Sequence, residues 1–340
     1  MKLQQSESSR FWSLHSHPTG NDFAAAFRLE SGPIPAPGEG EVLIRNEYIS
    51  LDAGTRMWIT PRTDAYQPPL PLGTPMPGLV LGRVVESRAA GFKAGDLVRG
   101  FGRWGDHSCV VPSMAALRVL EEGLADPRQH LGVLGMNGWT AYHGIVETGR
   151  TRPGETVLVS AAAGATGLLA AQIARNMGCR VIGLAGGPEK CRVLVERFRL
   201  DTAIDYKAVD VAQALARVPG GIHVYFDNVG GPLLDAVLPN MAHYGRVAVC
   251  GLVATYTNDG PAPGPARFDQ VLMRRLSITG FFSPDFAARG PEYEALLRPW
   301  LDAGTITLPF DETAGLGNML AAYAKLFTGA NIGKVVVKVG

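Results

Sequence analysis

The spacing of hydrophobic and polar residues changes near Asp126, which divides this chain into two parts of different character. Before that point, short segments alternate apolar and polar residues between Gly- and Pro-rich turns, as half-buried strands do. Residues 41–48 show this alternation most clearly, and residues 81–86, 95–100 and 101–111 continue it. The first part is therefore predicted to be a compact lobe of β-strands.

The second part alternates short apolar segments with stretches of helix length. The apolar segments lack the alternation of the first part, which is typical of parallel strands covered on both faces. They are residues 156–160, 180–184, 202–205, 223–227, 246–250 and 277–281. Strands and helices in this order predict an α/β fold with a doubly wound parallel sheet. A last helix at 317–327 and a strand at 334–339 are expected to return to the β lobe.

Length and charge limit the classes of protein that fit. The chain has 340 residues, which is long enough for two domains. Its net charge of +1 gives no reason to expect nucleic acid or an anionic membrane as a partner. We predict one domain from 1–126 and 304–340 and a second from 127–303. No apolar stretch reaches the roughly 18 residues of a membrane helix. The polar start, 1–10, lacks the apolar core of a secretory signal, so a cytoplasmic protein is expected.

The strongest chemical signal is the segment Ser160-Ala161-Ala162-Ala163-Gly164-Ala165-Thr166-Gly167. It directly follows a predicted strand and opens a predicted helix, 168–177, which is the context of a dinucleotide-binding loop. Gly164 lets the backbone approach a pyrophosphate, Gly167 lets the helix pack closely, and the helix start binds the phosphates. A tight turn without a ligand is the alternative. The predicted cofactor-binding residues of this loop are Ala162, Gly164, Ala165, Thr166 and Gly167. Ala162 stands where the usual pattern has its first glycine.

The choice of cofactor is predicted from the end of the second parallel strand. An NAD enzyme usually has Asp or Glu about 20 residues after the glycines, bonded to the ribose 2′-OH. This chain reads Ala185-Gly186-Gly187-Pro188-Glu189-Lys190 there. Glu189 begins the next helix and favours that helix start, whereas Lys190 offers a 2′-phosphate a charge-assisted hydrogen bond. NADPH is therefore favoured, with a solvated surface lysine as the alternative reading of Lys190.

Further short motifs complete the pattern: Gly135-Met136 with Thr140-Ala141-Tyr142, the run from Tyr225 to Gly231, Cys250-Gly251 with Thr255-Tyr256, and Asn331-Ile332-Gly333-Lys334. With these residues the chain resembles the medium-chain dehydrogenase/reductase superfamily. It is most similar to the branch of leukotriene B4 dehydrogenase/prostaglandin reductase and alkenal double-bond reductases. The resemblance covers essentially the whole chain. It implies a GroES-like β-rich catalytic domain, a Rossmann NADP-binding domain and a homodimer that pairs through residues 276–282.

The resemblance also implies roles for individual residues. Lys190 and Tyr206 are expected to bind the 2′-phosphate end of NADPH. The backbone at Cys250 and Gly251 is expected to run beside the nicotinamide. Tyr256 is expected near the nicotinamide ribose and the reacting centre. The remaining expected cofactor contacts are Gly186, Asn228, Phe281, Phe282, Asn331 and Gly333.

The chain departs from its zinc-dependent relatives at the metal ligands. Those relatives have a cysteine shortly before an aspartate and then a Gly-His-Glu run. The corresponding stretches here read Ser50-Leu51-Asp52 and Gly78-Leu79-Val80, so no metal is expected. Many double-bond reductases also read Asp-Pro-Tyr-Met-Arg where this chain has Asp52-Ala53-Gly54-Thr55-Arg56, so one expected wall of the substrate pocket is absent.

These features lead to the hypothesis of an NADPH-dependent reductase of the C=C bond of α,β-unsaturated aldehydes and ketones. Hydride goes to the β-carbon, a proton goes to the α-carbon, and charge develops on the carbonyl oxygen. Tyr256 is the candidate proton donor, because a tyrosine with a pKa of about 10 keeps its proton at neutral pH. Its alternative role is to pack on the ribose or a cofactor phosphate. The surrounding Gly- and Pro-rich loop, 255–265, is predicted to be a lid.

Substrate contacts and the competing functions are less sharply indicated. Arg56, Trp58, Trp104 and Phe282 are candidate substrate contacts, with core packing as the alternative for the aromatic residues and a surface ion pair as the alternative for Arg56. An NADPH:quinone oxidoreductase has the same fold and hydride step. A protein that binds NADPH without catalysis is the alternative from another class.

Overall fold

The computed structural model describes residues 8–62, 66–257 and 263–340, which form two compact units. The β-rich unit comprises the chain up to Leu131, Phe310–Ala330 and Val335–Gly340, and the parallel-sheet unit comprises Gly132–Pro309 and Asn331–Lys334. A β-rich unit and an α/β unit are the fold class predicted from the sequence. The units differ from the predicted domains, 1–126 with 304–340 and 127–303, at three places: 127–131 lies in the β-rich unit, and 304–309 and Asn331–Lys334 lie in the parallel-sheet unit.

The β-rich unit is built from antiparallel sheets. Its strands are β1 (Ser8–Leu14), β2 (Phe27–Pro33), β3 (Val42–Ser50), β4 (Thr74–Pro75), β5 (Pro77–Ser87), β6 (Leu97–Arg103), β7 (His107–Val110) and β8 (Arg118–Val119), followed late in the chain by β15 (Phe310–Ala314) and β16 (Lys334–Lys338). One sheet has the order β2-β1-β4, and the other has the order β15-β16-β3-β5-β6-β8 with β7 also paired to β3. Because β16 pairs antiparallel with β3, the end of the chain returns to this unit.

The β-rich unit also contains helical segments, and all of them except Pro127–Leu131 contribute side chains to an aromatic core. They are the 3-10 helices Ala53–Ile59, Pro127–Leu131 and Leu316–Asn318 and the α-helix α8 (Met319–Thr328). Trp104 is fully buried and lies against Phe27 at 5.8 Å and Tyr323 of α8 at 5.1 Å, measured between ring centroids. Large aromatic surfaces of this kind contribute much of the hydrophobic stabilisation of a unit.

The parallel-sheet unit alternates strands and helices. Its strands are β9 (Thr156–Val159), β10 (Arg180–Ala185), β11 (Thr202–Asp205), β12 (Ile222–Asp227), β13 (Met241–Val249) and β14 (Ser277–Gly280). Its helices are α1 (Met136–Tyr142), which continues into a π-helix at His143–Thr148, α2 (Ala165–Asn176), α3 (Pro188–Glu196), α4 (Val211–Leu215), α5 (Gly231–Val237), α6 (Asp269–Arg274) and α7 (Gly290–Asp302). Three 3-10 helices among the described residues, Leu238–Asn240, Val253–Thr255 and Ser283–Arg289, link them.

The order of the parallel strands locates the region where a ligand is expected. The sheet runs β11-β10-β9-β12-β13-β14, so the chain moves outward in one direction from β9 and in the other from β12. Ligands of doubly wound sheets bind outside the carboxyl ends of the strands at this reversal. The predicted strands all occur. β13 begins at Met241, earlier than predicted, because the strand continues through the residues that break the apolar pattern, including Tyr244 with its φ of 61°.

None of the helices in the described part of the chain combines the length and the apolar composition that crossing a bilayer requires.

Candidate functional site

The loop between β9 and α2 is a tight turn that leads directly into the first turn of a helix. The amide of Gly164 donates to the carbonyl oxygen of Ala161 at 2.9 Å, which closes the turn, and Ala161 adopts a φ of 47°. The amide of Leu168 donates to Gly164 at 2.9 Å. The amides of the first helical residues, Ala165 and Thr166, therefore precede the first intrahelical bond. Such amides, together with the helix dipole, bind phosphate groups.

Close packing of α2 on β9 depends on a missing side chain. A Cβ atom on Gly167 would collide with the carbonyl oxygen of Ala161, so only glycine fits there. Ala162 shows how the loop accommodates its departure from the usual glycine pattern. Its side chain is buried, and a Cβ on Gly183 of β10 would lie 3.0 Å from the methyl group of Ala162. The methyl group thus occupies space that Gly183 leaves open.

The C-terminal segment Asn331–Lys334 lies directly on this loop. The amide of Gly333 donates to the carbonyl oxygen of Ala163 at 2.8 Å, and Gly333 forms a parallel bridge with Gly164. The side chain of Asn331, which is 6% exposed, donates to the carbonyl oxygen of Gly333 at 3.0 Å. The structure therefore brings Asn331 and Gly333 to the phosphate loop, as cofactor contacts require. A contribution that the sequence did not indicate comes from Asn137 of α1, whose amide donates to the Thr166 hydroxyl at 2.9 Å.

The turn after β10 is the predicted binding position for the adenosine end of the cofactor. A Cβ atom on Gly186 would lie 2.9 Å from the hydroxyl oxygen of Tyr206 and 2.9 Å from Cε of Lys207, so both side chains fold over this glycine. Gly187 follows with a φ of 98° and precedes α3, whose first turn carries the half-buried Lys190. Of the predicted pair, Tyr206 therefore lies over Gly186, and Lys190 follows the turn in the first turn of α3.

Asp205, which the sequence did not single out, organises this end of the sheet. Its Oδ1 atom accepts hydrogen bonds from the amide of Gly187 at 2.9 Å and from the amide of Lys207 at 3.0 Å. These bonds lower the pKa of Asp205. The carboxylate at the end of β11 thus binds the backbone of the two adjoining turns. Its only sequence signal is its position as the last residue of an apolar strand.

Asp227 plays the same part at the reversal between β9 and β12. Its side chain is fully buried, and Oδ1 accepts hydrogen bonds from the Tyr225 hydroxyl at 2.8 Å and the Ser160 hydroxyl at 3.1 Å. Oδ1 also accepts from the amides of Val229 and Gly230, each at 2.9 Å. Several donors offset the large cost of burying a carboxylate. Sequence analysis identified this run as a motif but assigned Asp227 no role.

Asn228, a predicted cofactor contact, is bonded to the end of β9. Its backbone amide donates to the Ser160 hydroxyl at 2.8 Å, and its side-chain amide donates to the Ser160 carbonyl oxygen at 2.7 Å. The carbonyl oxygen of Asp227 accepts from the amides of Cys250 at 2.8 Å and Gly251 at 3.1 Å. The ends of β9, β12 and β13 are therefore joined through Asp227 and Ser160.

Tyr256 lies against the turn that follows β13. Its hydroxyl oxygen accepts a hydrogen bond from the amide of Leu252 at 3.2 Å, and a Cβ on Gly251 would lie 3.0 Å from that oxygen. The hydroxyl is thus beside the Cys250–Gly251 backbone, where the resemblance places the nicotinamide. Of the predicted lid, 255–265, residues 258–262 lie outside the described part of the chain.

Phe281 and Phe282 follow the edge strand β14. The ring of Phe281 is partly buried and packs 6.1 Å from the ring of Phe226 and 5.5 Å from that of His143, between centroids. Phe282 is exposed at 36%. These two residues are predicted cofactor contacts, and the second is also a predicted substrate contact.

The substrate candidates in the β-rich unit have different surroundings. Arg56 is 1% exposed and donates to the Thr60 hydroxyl at 2.6 Å and to the Pro18 carbonyl oxygen at 2.9 Å, so it is a buried residue that ties a loop rather than a partner in a surface ion pair. Trp104 is in the aromatic core, which was its alternative reading. Trp58 is partly exposed, and its indole donates to the Tyr66 hydroxyl.

Among residues 8–62, 66–257 and 263–340, no three His, Cys, Asp or Glu side chains form a group that can hold a metal ion. At one of the positions where zinc-dependent relatives have a ligand run, a Cβ on Gly78 would lie 2.6 Å from the indole nitrogen of Trp104.

Comparisons with known proteins agree with this geometry. A family model described as N-terminal domain of oxidoreductase matches residues 10–119, and one described as zinc-binding dehydrogenase matches residues 165–299. An NADPH-dependent curcumin reductase of Escherichia coli (strain K12) is 39% identical, over 99% of this chain and 98% of that protein. A 2-alkenal reductase (NADP(+)-dependent) of Nicotiana tabacum is 38% identical, over 89% of this chain and 88% of that protein. The crystal structure of CurA in complex with NADPH from Vibrio vulnificus has a TM-score of 0.91 and 36% identity, over 97% of this chain and 99% of that one.

The effect of Asp227 on the pKa of the neighbouring Cys250 thiol can be tested by substitution. Burial, and secondly the neighbouring Asp227, raise the pKa of the Cys250 thiol to about 12. Asp227→Asn removes the charge and retains an acceptor oxygen, so the Cys250 pKa is expected to fall. Alkylation by iodoacetamide as a function of pH, read at the Cys250 peptide by mass spectrometry, measures it. Cys179, whose pKa of about 11 reflects first its burial and then Glu155, is the internal control. An unchanged Cys250 profile contradicts the assigned cause.

Proposed function

We propose that this chain, which belongs to the medium-chain dehydrogenase/reductase superfamily, is an NADPH-dependent reductase of the C=C bond of α,β-unsaturated aldehydes and ketones. The observation that carries the proposal is the adenosine end of the cradle. Lys190 and Tyr206 stand where an NAD enzyme has a carboxylate for the ribose, and the nearby Asp205 carboxylate binds backbone amides instead. Similarity over nearly full length to a curcumin reductase and a 2-alkenal reductase supports the substrate class.

The residues present fit the cofactor. The first turn of α2 supplies amides for the pyrophosphate, Gly167 allows the close packing of that helix, and Lys190 supplies a cation for the 2′-phosphate. Bound NADPH supplies the hydride, which goes to the β-carbon of the substrate. Asn228, Cys250 and Gly251, held together through Asp227 and Ser160, form the rigid surface on which the reactive end is oriented.

Tyr256 is proposed as the proton donor. Charge that develops on the carbonyl oxygen of the substrate makes an enolate, and a proton must then reach the α-carbon. The Tyr256 hydroxyl lies beside Gly251, in the turn that is proposed to contact the nicotinamide end of the cofactor. A phenol in this position can stabilise the enolate by hydrogen bonding and supply the proton.

The reaction is proposed to proceed without a metal. The positions that correspond to the cysteine, histidine and glutamate of the zinc-dependent relatives are occupied by Ser50, Leu79 and Val80. The Ser50 hydroxyl donates to Asp52 at 2.5 Å, and Val80 is part of the apolar core. Conjugate addition needs orientation and a proton donor, whereas alcohol oxidation by the zinc route needs a Lewis acid.

Product analysis on a panel of substrates tests this function. Enals and enones are expected to consume NADPH and to yield the saturated aldehyde or ketone, since hydride is delivered to the β-carbon. Quinones and saturated aldehydes serve as comparison substrates, with consumption of NADPH followed by the absorbance of the reduced nicotinamide. Efficient formation of hydroquinone without alkene reduction would favour the quinone reductase, and NADPH binding without turnover would favour the non-catalytic alternative.

Tyr256→Phe tests the proposed proton donor. Loss of a general acid is expected to reduce kcat by about a hundredfold and to change the NADPH affinity little. A fluorescence titration of NADPH and steady-state kinetics with one enone separate the two effects. A weaker NADPH affinity with unchanged kcat would instead assign Tyr256 to cofactor packing.

A homodimer formed through 276–282 is also proposed. The residues of β14 are exposed at the edge of the sheet, with Ile278 at 37%, and the adjacent α6 exposes Leu272 at 74% and Met273 at 59%. An open edge beside exposed apolar side chains is suited to pairing with a second copy of the chain. Light scattering of the purified protein is expected to give the mass of two chains, and a monomer mass rejects the proposal. The cytoplasmic location stays a prediction.

A further inference from the structure

We propose that Lys207 is a second cation of the subsite for the 2′-phosphate of NADPH and that Asp205 is the residue that positions it. This inference rests on the proposed use of NADPH. It adds to the expected pair, Lys190 and Tyr206, a side chain for which neither the sequence patterns nor the resemblance suggested a role.

The side chain of Lys207 reaches the same glycine as Tyr206. Measured from the Cβ position that Gly186 leaves empty, Cε of Lys207 is 2.9 Å away and the Tyr206 hydroxyl oxygen is 2.9 Å away. Cε carries the ammonium group directly, so the charge of Lys207 lies close to the end of β10. The 2′-phosphate is expected at this end, because the ribose of a bound dinucleotide reaches the end of the second strand. A larger residue than glycine would displace both side chains.

The backbone holds Lys207 in this place. The amide of Lys207 donates to Oδ1 of Asp205 at 3.0 Å, and the same oxygen accepts from the amide of Gly187 at 2.9 Å. The amide of Tyr206 donates to the carbonyl oxygen of Ala185 at 3.2 Å. The turn after β11 is therefore fixed to the turn after β10 before any ligand arrives. Fixing the backbone in advance reduces the ordering cost of a bound ligand.

The charge of the ligand matches two cations better than one. A phosphate monoester carries about −1.5 to −2 charges near neutral pH. Lys190 lies in the first turn of α3, and Lys207 lies in the turn after β11, so each segment that adjoins the Gly186 turn carries a cation. NADH has only a hydroxyl group at the same position. Lys207 is thus expected to favour NADPH specifically and to leave binding of the rest of the dinucleotide unchanged.

Direct binding to the purified full-length protein tests the proposal. Calorimetric titrations with NADPH and NADH, and with adenosine 2′,5′-bisphosphate and 5′-AMP, isolate the contribution of the 2′-phosphate without any substrate. Lys207→Met keeps the apolar stem and removes the charge. It is expected to weaken NADPH and adenosine 2′,5′-bisphosphate by about tenfold to a hundredfold, as for a charge-assisted hydrogen bond, and to change NADH and 5′-AMP by less than about twofold.

Matched variants separate the subsite from general electrostatics and from folding. Arg217→Gln removes an exposed cation from the loop before β12, at the opposite, amino edge of the sheet, and is expected to leave the NADPH-to-NADH affinity ratio unchanged. Asp205→Ala is expected to lower that ratio, and Asp205→Asn to restore most of it, because an amide oxygen still accepts the two backbone bonds. An equal loss for NADPH and NADH in Asp205→Ala would show a merely structural role.

The outcomes distinguish this inference from the proposed function. If Lys190→Met weakens NADPH selectively and Lys207→Met does not, the role of Lys207 is rejected while the NADPH assignment stands. If Lys207→Met weakens both dinucleotides equally, its role in the phosphate subsite is also rejected. If the unmodified protein binds NADH as tightly as NADPH, the proposed cofactor preference and this inference fail together.

Discussion

A buried carboxylate at the reversal of the parallel sheet organises the region on which the proposed chemistry depends. Oδ1 of Asp227 accepts from two hydroxyl groups and two backbone amides, and its carbonyl oxygen accepts from the amides of Cys250 and Gly251. Burying a carboxylate is costly unless donors surround it. The donors come from the ends of β9 and β12 and from the turn after β12, so the hydrogen bonds to one carboxylate oxygen connect these segments. The protein's own bonds therefore position this surface.

The adenosine end uses the same device for a different purpose. Asp205 binds the backbone of two turns, and the side chains that converge on Gly186 present a hydroxyl and a cation rather than an acid. A carboxylate facing outward would repel a 2′-phosphate, whereas one bonded to amides shapes the turn. Both ends of the cradle are thus formed by strand-terminal aspartates that contact the protein's own backbone, which leaves ligand recognition to the residues around them.

In the β-rich unit, packing takes precedence over chemistry at several positions that invite a functional reading. Trp104 is part of the aromatic core and leaves no room for a side chain at Gly78. The Arg56 guanidinium donates hydrogen bonds to the Thr60 hydroxyl and to the Pro18 carbonyl oxygen. A buried guanidinium needs nearby oxygen acceptors. Residue type alone does not reveal this, because an arginine or tryptophan in a polar sequence context has the same appearance whether it lines a pocket or supports a loop.

The sequence by itself determined the fold class, the parallel strands, the phosphate loop and the cationic adenosine end. Each of these is encoded locally, by apolar runs of strand length or by glycines and charges within a few residues of one another. Tertiary structure decided the contacts of Asp205, Asp227, Asn137 and Lys207 and the docking of Asn331–Lys334 on the loop after β9. Those roles depend on hydrogen bonds between segments that are distant in sequence. A polar residue's partners are set by which strand ends lie side by side, and no local pattern carries that information.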